Sequence, residues 1–472
     1  MTEKKIYLGQ QLLNTKKKSV GGSYVELGGE TYYKISDYNQ MDDFFISIVS
    51  DSNHWMFIST KGGLTAGRVN SANALFPYYS DDKINDGSSH TGSRTIILIN
   101  KDNKTYLWEP FSPADLGIYN ISRNLYKNVY GDKLIFEEIN HDMELTFQYA
   151  WRTSDKYGFI KTSEIKNSSN VDVTIDIVDG IENILPYGVE PDVQNSLSCL
   201  VDAYKKNELQ VDCGLGIYTM SSILVDRAEP SEALSASVVW STGLSKSKKL
   251  ISSLQLDEFR KGNTLHQEID IRGRRAAYFI NDSFTLDPQS QKTWSIISDI
   301  NLGPAAVKNL MGNINNPNII DDIEADINLG SMNLARIVGT SDGLQVTEDK
   351  LSANHHFSNV LFNVMRGGLF VENYKVKKSD LILFVKNFNT NLFKKFETFF
   401  NNLEEAFHYS SLIEAAENEK NTDLQRLCFE YLPLSFSRRH GDPSRPWNKF
   451  SINVKQADGS QLLDFEGNWR DI

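Results

Sequence analysis

The hydrophobic pattern of the chain changes once, close to Gly303, and this change limits the folds that the chain can adopt. Before residue 303, apolar and polar residues alternate in short runs that end in turn residues, as in 143–149 and 171–177. Alternation of this kind predicts β-strands with one buried face. After residue 303, apolar residues recur at helical spacing. The sequence therefore predicts a β-rich first part and a helical second part.

The length of the β-rich part favours one architecture. Residues 1–302 are too many for one small sandwich, so we expect a large antiparallel sandwich made of two sheets. The run 95–100 is apolar at nearly every position. A run of this kind predicts a strand that is buried on both faces.

The helical part divides into two segments. Residues 303–342 predict a helical linker, with Pro304 at a plausible first-turn position. Residues 343–472 predict successive helices joined by short polar connections, as in a helical barrel or bundle. Within them, an apolar stripe over 392–407 predicts helical structure, and the capping-box pattern occurs twice, beginning at Ser411 and Thr422.

Charge and composition exclude several classes of protein. The formal net charge is −12, whereas a protein that mainly binds nucleic acid needs a basic face. Three scattered cysteines provide neither a disulfide framework nor a zinc site, and His355 and His356 have no third ligand at a supporting spacing, so no metal site is predicted. The chain starts without an apolar leader and has no run long enough to span a membrane. We therefore expect a soluble cytoplasmic protein with no nucleic-acid or membrane partner.

A polar cluster near the end of the printed sequence is the first candidate site. Glycine and proline prevent regular structure over 438–447, and loops rich in planar donors and aromatic rings commonly bind ligands. Guanidinium, carboxylate and indole groups suit sugars or phosphates, because they combine bidentate hydrogen bonds with stacking. The alternative is a surface loop that Asp442 and Arg445 hold in place by ordinary ion pairs. The candidate residues are Arg438, Arg439, His440, Asp442, Arg445 and Trp447.

A second polar cluster, over 62–68, lies inside the β-rich part and ends in Arg68. Its glycines permit positive φ angles or a close approach of the backbone. No strand precedes a helix here, so a phosphate-binding P-loop is excluded. Arg68 is a candidate for contact with a sugar or phosphate. The alternative is a tightly packed hairpin in which Arg68 pairs with Asp81, Asp82 or Asp86.

The order of the predicted domains and the run Gly467-Asn468-Trp469-Arg470-Asp471 resemble the glycoside phosphorylase family typified by cellobiose and chitobiose phosphorylases. The family motif is close to Gly-Tyr-Arg-Asp; here an extra residue follows the glycine and tryptophan replaces tyrosine. The resemblance implies a β super-sandwich over 1–302, a helical linker over 303–342 and the first helices of an (α/α)6 barrel over 343–472. The run 62–68 also resembles the sandwich loop that reaches over the barrel mouth in this family.

The resemblance implies the N-terminal part of an inverting phosphorylase that acts on β-linked gluco-oligosaccharides. Inorganic phosphate would be the co-substrate, and no cofactor is expected. The resemblance places Arg470 and Asp471 in a sugar-holding role, and Trp447 is added for its stacking chemistry. The general acid is expected beyond Ile472, so residues 1–472 alone are expected to be inactive. The full-length protein could form a homodimer.

Two other functions remain open at this stage. One is a glycoside hydrolase of the same helical-barrel (six-hairpin) clan, which needs two opposed carboxylates. The other is a non-catalytic carbohydrate-binding or assembly protein. For any of the three we expect the loop 438–447, the pair Arg470 and Asp471, and the loop 62–68 to lie at one end of the helical region, where loops form a pocket.

Overall fold

The computed structural model describes residues 5–15, 18–79, 81–101, 103–113, 117–222, 234–244, 246–339, 343–344, 348, 350–365, 368–370, 375–431 and 434–436. These residues belong to two compact units, the first over residues 1–337 and the second over 338–445. Each unit is described by itself below.

The first unit is built mainly from β-strands, as the period-2 pattern predicts. Strand β13 (Leu145–Ser154), for example, buries every second side chain over most of its length, because successive side chains of a strand point to opposite faces. The strands of this unit are β1 (Tyr7–Leu8), β2 (Gln11–Leu12), β3 (Gly21–Leu27), β4 (Glu30–Ser36), β5 (Phe45–Ile48), β6 (His54–Ser59), β7 (Leu64–Arg68), β8 (Ala74–Phe76), β9 (Gly92–Lys101), β10 (Lys104–Trp108), β11 (Ile121–Asn128), β12 (Leu134–Asn140), β13 (Leu145–Ser154), β14 (Gly158–Asn167), β15 (Val173–Ile184), β16 (Lys205–Gln210), β17 (Leu215–Met220), β18 (Ala236–Thr242), β19 (Lys248–Leu250), β20 (Asp270–Arg272), β21 (Ala276–Leu286) and β22 (Gln291–Leu302).

Two large sheets dominate this unit within the described residues. Eleven strands form one sheet in the order β20-β16-β17-β18-β22-β14-β13-β12-β11-β4-β3, and five form the other in the order β10-β9-β15-β21-β19. Neighbouring strands in both sheets are antiparallel. A smaller sheet, β5-β6-β7-β8, carries the run 62–68. The prediction of an antiparallel β-sandwich is confirmed at this level.

The two large sheets are joined by a buried carboxylate, Asp179 on β15. Across the sandwich it accepts hydrogen bonds from Lys161 (2.5 Å) and Ser163 (2.8 Å) on β14 and from the Trp294 indole (2.7 Å) on β22. Within its own sheet it accepts a fourth from Thr95 (2.7 Å) on β9. Lys161 and Asp179 are both fully buried, and burial lowers the pKa of Lys161 while Asp179 opposes that shift.

The helices of the first unit are short until the β region ends. They are α1 (Asp81–Asp86), α2 (Pro191–Ser196), α3 (Ser198–Tyr204), α4 (Leu256–Arg260), α5 (Pro304–Asn313) and α6 (Ile319–Gly339). Pro304 occupies the first turn of α5, as predicted. No helix in the part of the chain that the structure describes is long and apolar enough to cross a membrane.

Helix α6 packs on the face of the eleven-stranded sheet that points away from Asp179. Arg152 on β13 makes a bidentate ion pair with Glu324 of α6 at 2.6 and 2.7 Å, and Ser154 donates a hydrogen bond to Asp326. The first turns of α6, which lie within the predicted linker, are thus attached to the sandwich. The apolar residues in this contact include Trp240 and Ile297 of the sheet and Ile314, Ile319, Ile323 and Ile327 of the helical segment.

The second unit has its own apolar core. Its helices are α7 (Lys350–Met365), α8 (Lys378–Phe388), α9 (Thr390–Lys395), α10 (Glu397–Asn402), α11 (Tyr409–Asn418) and α12 (Thr422–Glu430), and its strands are β23 (Gly368–Phe370), β24 (Lys375–Lys377), β25 (Ala406–His408) and β26 (Leu434–Phe436). Side chains from α8 to α12 form one buried cluster. The helical part is confirmed, whereas the (α/α)6 barrel and the predicted domain boundaries stay predictions.

The helical prediction over 392–407 is wrong at its C-terminal end, where the chain forms a strand. The stripe does supply core residues, but it is divided into α9, α10 and the strand β25, which pairs with β24. Lys378 explains the end of α10, because its ammonium donates to the carbonyls of Asn401 and Leu403 at 2.9 and 3.0 Å. Strand pairing and this cap outweigh the helical periodicity.

The two predicted capping boxes are also wrong in register. Helix α11 begins after His408, whose ring accepts from the backbone N–H of Ser410. Helix α12 begins after Asn421, whose side chain accepts from the backbone N–H of Leu424 at 3.0 Å. Asparagine is among the best N-cap residues, so it displaces the cap predicted at Thr422.

Replacing Asp179 by asparagine tests the carboxylate that joins the sheets. The Asp179→Asn variant leaves the buried Lys161 without a counter-charge, and breaking a buried pair on one side costs about 3–5 kcal/mol. The matched control is Asp176→Asn on the same strand, where the half-exposed carboxylate bonds only Asn100 at 3.2 Å among the described residues. We expect the control to change the free energy of unfolding by about 0.5 kcal/mol or less. Urea unfolding measures both, and equal losses would contradict the role given to Asp179.

Candidate functional site

Most of the sequence-predicted site residues cannot be placed. The C-terminal candidates and the sugar-holding pair lie outside the described residues, so their convergence with the loop 62–68 stays a prediction. These residues are Arg438, Arg439, His440, Asp442, Arg445, Trp447, Arg470 and Asp471.

Arg68, at the end of β7, is held by a network of polar groups. Its Nε donates to Asp299 at 2.7 Å, one Nη donates to the Asp155 carbonyl at 2.8 Å, and the other bonds Asn53 at 3.2 Å. Burial raises the pKa of Asp299, and Arg68 opposes this shift. These residues line a cavity of about 280 Å³. Contact between Arg68 and a sugar or phosphate stays a prediction.

The hairpin alternative gave Arg68 the wrong ion-pair partner. The sequence suggested a nearby acid, Asp81, Asp82 or Asp86, whereas the ion pair is made with Asp299, which lies 231 positions away along the chain. The end of β7 lies against the end of β22 in the tertiary structure. Sequence proximity therefore gave the wrong carboxylate.

The glycines of the run 62–68 serve close packing. A Cβ atom on Gly63 would lie 2.2 Å from the Ile84 carbonyl oxygen, and one on Gly67 would lie 2.2 Å from the Asn73 carbonyl oxygen. Neither distance is tolerable, so only glycine fits at these two positions. The tightly packed hairpin that was one of the two sequence interpretations is present between β6 and β7.

A second and larger cavity, of about 360 Å³, lies in the first unit beside the same hairpin turn. Lys61 and Gly62 of the turn contribute to its wall, together with the loop that follows β10 and side chains from β9, β11 and β13. The residues used below are Tyr38, Arg94, Glu109, Phe111, Arg123 and Tyr149.

Aromatic rings form one side of this cavity. The ring of Tyr149 stacks on Phe136 with centroids 5.0 Å apart and meets Phe111 edge-on at 5.2 Å. The Tyr38 ring meets Phe136 edge-on, with ring centroids 6.1 Å apart. Ring pairs in these geometries are favourable and rigid. The cavity therefore has a preformed apolar surface.

Glu138 organises the polar side of the same cavity. This carboxylate is completely buried and accepts from the Trp108 indole, the Phe111 backbone N–H and the Arg123 guanidinium, each at 2.7 Å. Arg123 also donates to the Ser112 carbonyl at 2.9 Å. Phe111 has a φ of 66°, an unfavourable conformation for a bulky residue. The hydrogen bond to Glu138 helps to hold it there.

Each charged side chain among the wall residues named here has an opposite charge beside it. The guanidinium of Arg260 clamps Glu109 at 2.6 and 2.9 Å, which raises the pKa of Arg260. Burial raises the pKa of Glu182, and its neighbour Arg94 opposes that shift. The pairs are Lys61 with Asp43, Arg94 with Glu182, Glu109 with Arg260, and Arg123 with Glu138.

Sequence reasoning missed Tyr38, Arg123 and Tyr149. Tyr149 occupies one of the inward-facing positions in the alternating pattern of β13. In the sequence, an aromatic residue at such a position cannot be told apart from an ordinary core residue. Arg123 reads as an ordinary charged residue until Glu138 is placed opposite it on the neighbouring strand.

Part of the second unit is similar to a known family of protein domains. Residues 370–433 match the model of glycoside hydrolase family 149 insertion domain 1. This range holds the buried cluster formed by α8 to α12. The match supports a carbohydrate-active protein similar to glycoside hydrolases or phosphorylases. No curated protein sequence matches the chain significantly.

Solved structures give weaker similarities. A bacterial glucoamylase in complex with acarbose is 9% identical over 67% of this chain and 40% of its own, with a TM-score of 0.33. A protein from the human microbiome assigned as a kojibiose phosphorylase is 9% identical over 62% of this chain and 36% of its own, with a TM-score of 0.29. A galactose mutarotase-like protein from Lactobacillus casei is 10% identical over 54% of this chain and 99% of its own, also at 0.29. The chain thus spans less than half the length of the first two, and scores of this size assign neither fold nor activity.

His54, which lies near Arg68, predicts a pH dependence of stability. Burial, reinforced by Arg68, lowers the pKa of His54 from 6.5 to about 3. Between these values the unfolded chain binds a proton that the folded protein does not. The free energy of unfolding should therefore fall as the pH drops from 6.5 towards 3, by about 1.4 kcal/mol per pH unit from this group.

Replacing His54 isolates this contribution. We expect His54→Gln to flatten the dependence of the free energy of unfolding on pH below 6.5, measured by urea unfolding at several pH values. His266→Gln, at an exposed position, is the control for loss of a histidine. The same slope in wild type and His54→Gln would rule out His54 as the source.

Proposed function

We propose that this chain is the N-terminal part of an inverting glycoside phosphorylase that acts on β-linked gluco-oligosaccharides in the cytoplasm. The observation that carries the proposal is the match of residues 370–433 to an insertion domain of glycoside hydrolase family 149. The antiparallel sandwich, the helical linker and the run Gly467-Asn468-Trp469-Arg470-Asp471 support it. In this proposal residues 343–472 contribute the first helices of an (α/α)6 barrel, together with the matched insertion.

The reaction needs one carboxylic acid and one phosphate. The acid protonates the glycosidic oxygen while a phosphate oxygen attacks the anomeric carbon from the opposite face. The bond between the anomeric carbon and the glycosidic oxygen breaks, and a sugar 1-phosphate of inverted configuration forms. Arg470 and Asp471 hold sugar hydroxyls in this proposal, and Trp447 stacks on a ring. Arg438, Arg439, His440, Asp442, Arg445 and Arg68 are the candidates for further sugar or phosphate contacts.

A glycoside hydrolase is the second candidate, because the matched insertion domain carries a glycoside hydrolase family name. Hydrolysis replaces phosphate by a water molecule that a second carboxylate activates. The two reactions differ in their requirement for phosphate and in their product. A carbohydrate-binding protein without catalysis would give neither product.

The deciding experiment incubates the full-length protein with β-linked gluco-oligosaccharides, with and without inorganic phosphate. We expect a sugar 1-phosphate to appear only when phosphate is present. Free sugar at equal rates in both reactions would replace the phosphorylase by the hydrolase. Binding of the oligosaccharide without any product would leave a binding protein.

Arg470→Ala tests the sugar-holding role in the same assay. Losing a bidentate, charge-assisted contact should lower kcat/KM by about 10- to 100-fold with little effect on the melting temperature. Arg272→Ala is the matched control, since Arg272 is an exposed residue paired with Asp270. Equal activity of Arg470→Ala and Arg272→Ala would remove Arg470 from the site.

A further inference from the structure

Among the described residues, the wall of the 360 Å³ cavity includes none of those assigned to phosphorolysis above. It has two features that a packed core lacks, namely hydroxyls with no hydrogen-bond partner on the described part of the chain and a strained aromatic residue at the wall. Its volume lies near the lower end of the range for small-molecule sites, about 300–1,000 Å³. A single sugar ring is the size of ligand that such a space admits.

Two tyrosine hydroxyls are the first observation. Tyr38 and Tyr149 line the cavity and are only 3% and 2% exposed. Neither hydroxyl bonds another group among the residues that the structure describes. Both side chains line the cavity, so a ligand there can supply the hydrogen-bond partner that most buried polar groups have.

The state of these hydroxyls and of Arg123 defines what they can bind. Burial raises the pKa of both tyrosines, so each phenol stays neutral and can donate or accept a hydrogen bond. Arg123 uses Nε for Glu138 and one Nη for Ser112, while its other Nη bonds no described residue. Sugar hydroxyls both donate and accept, and they match this mixture of groups.

Charge selects a neutral ligand over a phosphate. The cations at the wall, Lys61, Arg94 and Arg123, each have a carboxylate in direct contact. Among the described wall residues, an anion in the cavity would meet those carboxylates and no uncompensated positive charge. An uncharged polyhydroxyl compound has no such repulsion.

The aromatic wall completes the match. Phe111 keeps a φ of 66° and lies edge-on to Tyr149 at 5.2 Å. Strained residues persist where the surrounding structure fixes them, and they cluster at ligand sites. A sugar ring has an apolar face of C–H groups that packs on aromatic side chains. The cavity therefore offers hydrogen-bonding groups for the sugar hydroxyls and an aromatic surface for the C–H face.

We propose that this cavity binds one neutral sugar ring, with Tyr38, Tyr149 and Arg123 as hydrogen-bond partners and Phe111 as the apolar contact. The inference rests on the chemistry of the cavity and not on phosphorolysis. It therefore stands or falls separately from the function proposed above.

The test titrates the 472-residue chain with glucose, galactose, mannose and inorganic phosphate, using ligand-observed NMR. We expect saturable binding of at least one monosaccharide and no displacement of it by phosphate. Tyr38→Phe and Tyr149→Phe should each weaken binding about threefold to tenfold. Both variants should keep the wild-type melting temperature, because no hydrogen bond to a described residue is lost.

Tyr278→Phe is the matched control, since Tyr278 is a buried tyrosine outside the cavity wall. Its hydroxyl donates to the Gly214 carbonyl at 2.6 Å, so the variant should melt at a lower temperature and bind sugar as wild type does. Arg272→Ala, at an exposed position outside the cavity wall where the guanidinium pairs with Asp270, should also bind sugar as wild type does.

Three results would overturn the proposal. The first is no saturable binding of any of the three monosaccharides, or displacement of the sugar by phosphate. The second is unchanged affinity in both Tyr38→Phe and Tyr149→Phe. The third is loss of sugar binding in Arg272→Ala, which would place the bound sugar elsewhere in the chain.

Discussion

The sandwich depends on a charge that neither sheet could bury alone. Asp179 belongs to the five-stranded sheet, whereas Lys161, Ser163 and Trp294 belong to the eleven-stranded sheet. An apolar interface tolerates small shifts in register, but these directed bonds form only when the sheets align in one way. The pair thus specifies alignment, while the surrounding aliphatic and aromatic side chains supply the apolar burial that favours association.

Glu138, which is equally buried, repeats this arrangement beside the 360 Å³ cavity and helps to shape it. It joins the Trp108 indole on the five-stranded sheet to Arg123 on the eleven-stranded sheet and fixes the loop at Phe111. A buried carboxylate that must satisfy three donors leaves the loop little freedom. The space beside it is consequently preformed, with neutral hydroxyls and a compensated guanidinium at its wall.

The segment of the second unit that matches the insertion-domain model has an apolar core of its own. Its core is formed by side chains from α8 to α12, and the Tyr431 hydroxyl donates to Asp380 at 2.6 Å, which ties the last helix to the first of these. The range matched by the insertion-domain model, 370–433, contains this core. A segment with its own core can be added to a larger protein without disturbing the core that receives it.

The sequence by itself determined where strands give way to helices, because periods of two and 3.6 residues are local properties that burial on one face imposes. It also indicated the helical linker and the tight glycine hairpin before Arg68. It could not determine how the stripe over 392–407 is divided, since pairing of β25 with β24 depends on a distant segment. Nor could it pair Arg68 with Asp299 or bring Tyr38 and Tyr149 to one cavity. Those contacts join residues that only the packing of the sheets brings together, and buried aromatic residues look alike in sequence whether they fill a core or line a pocket.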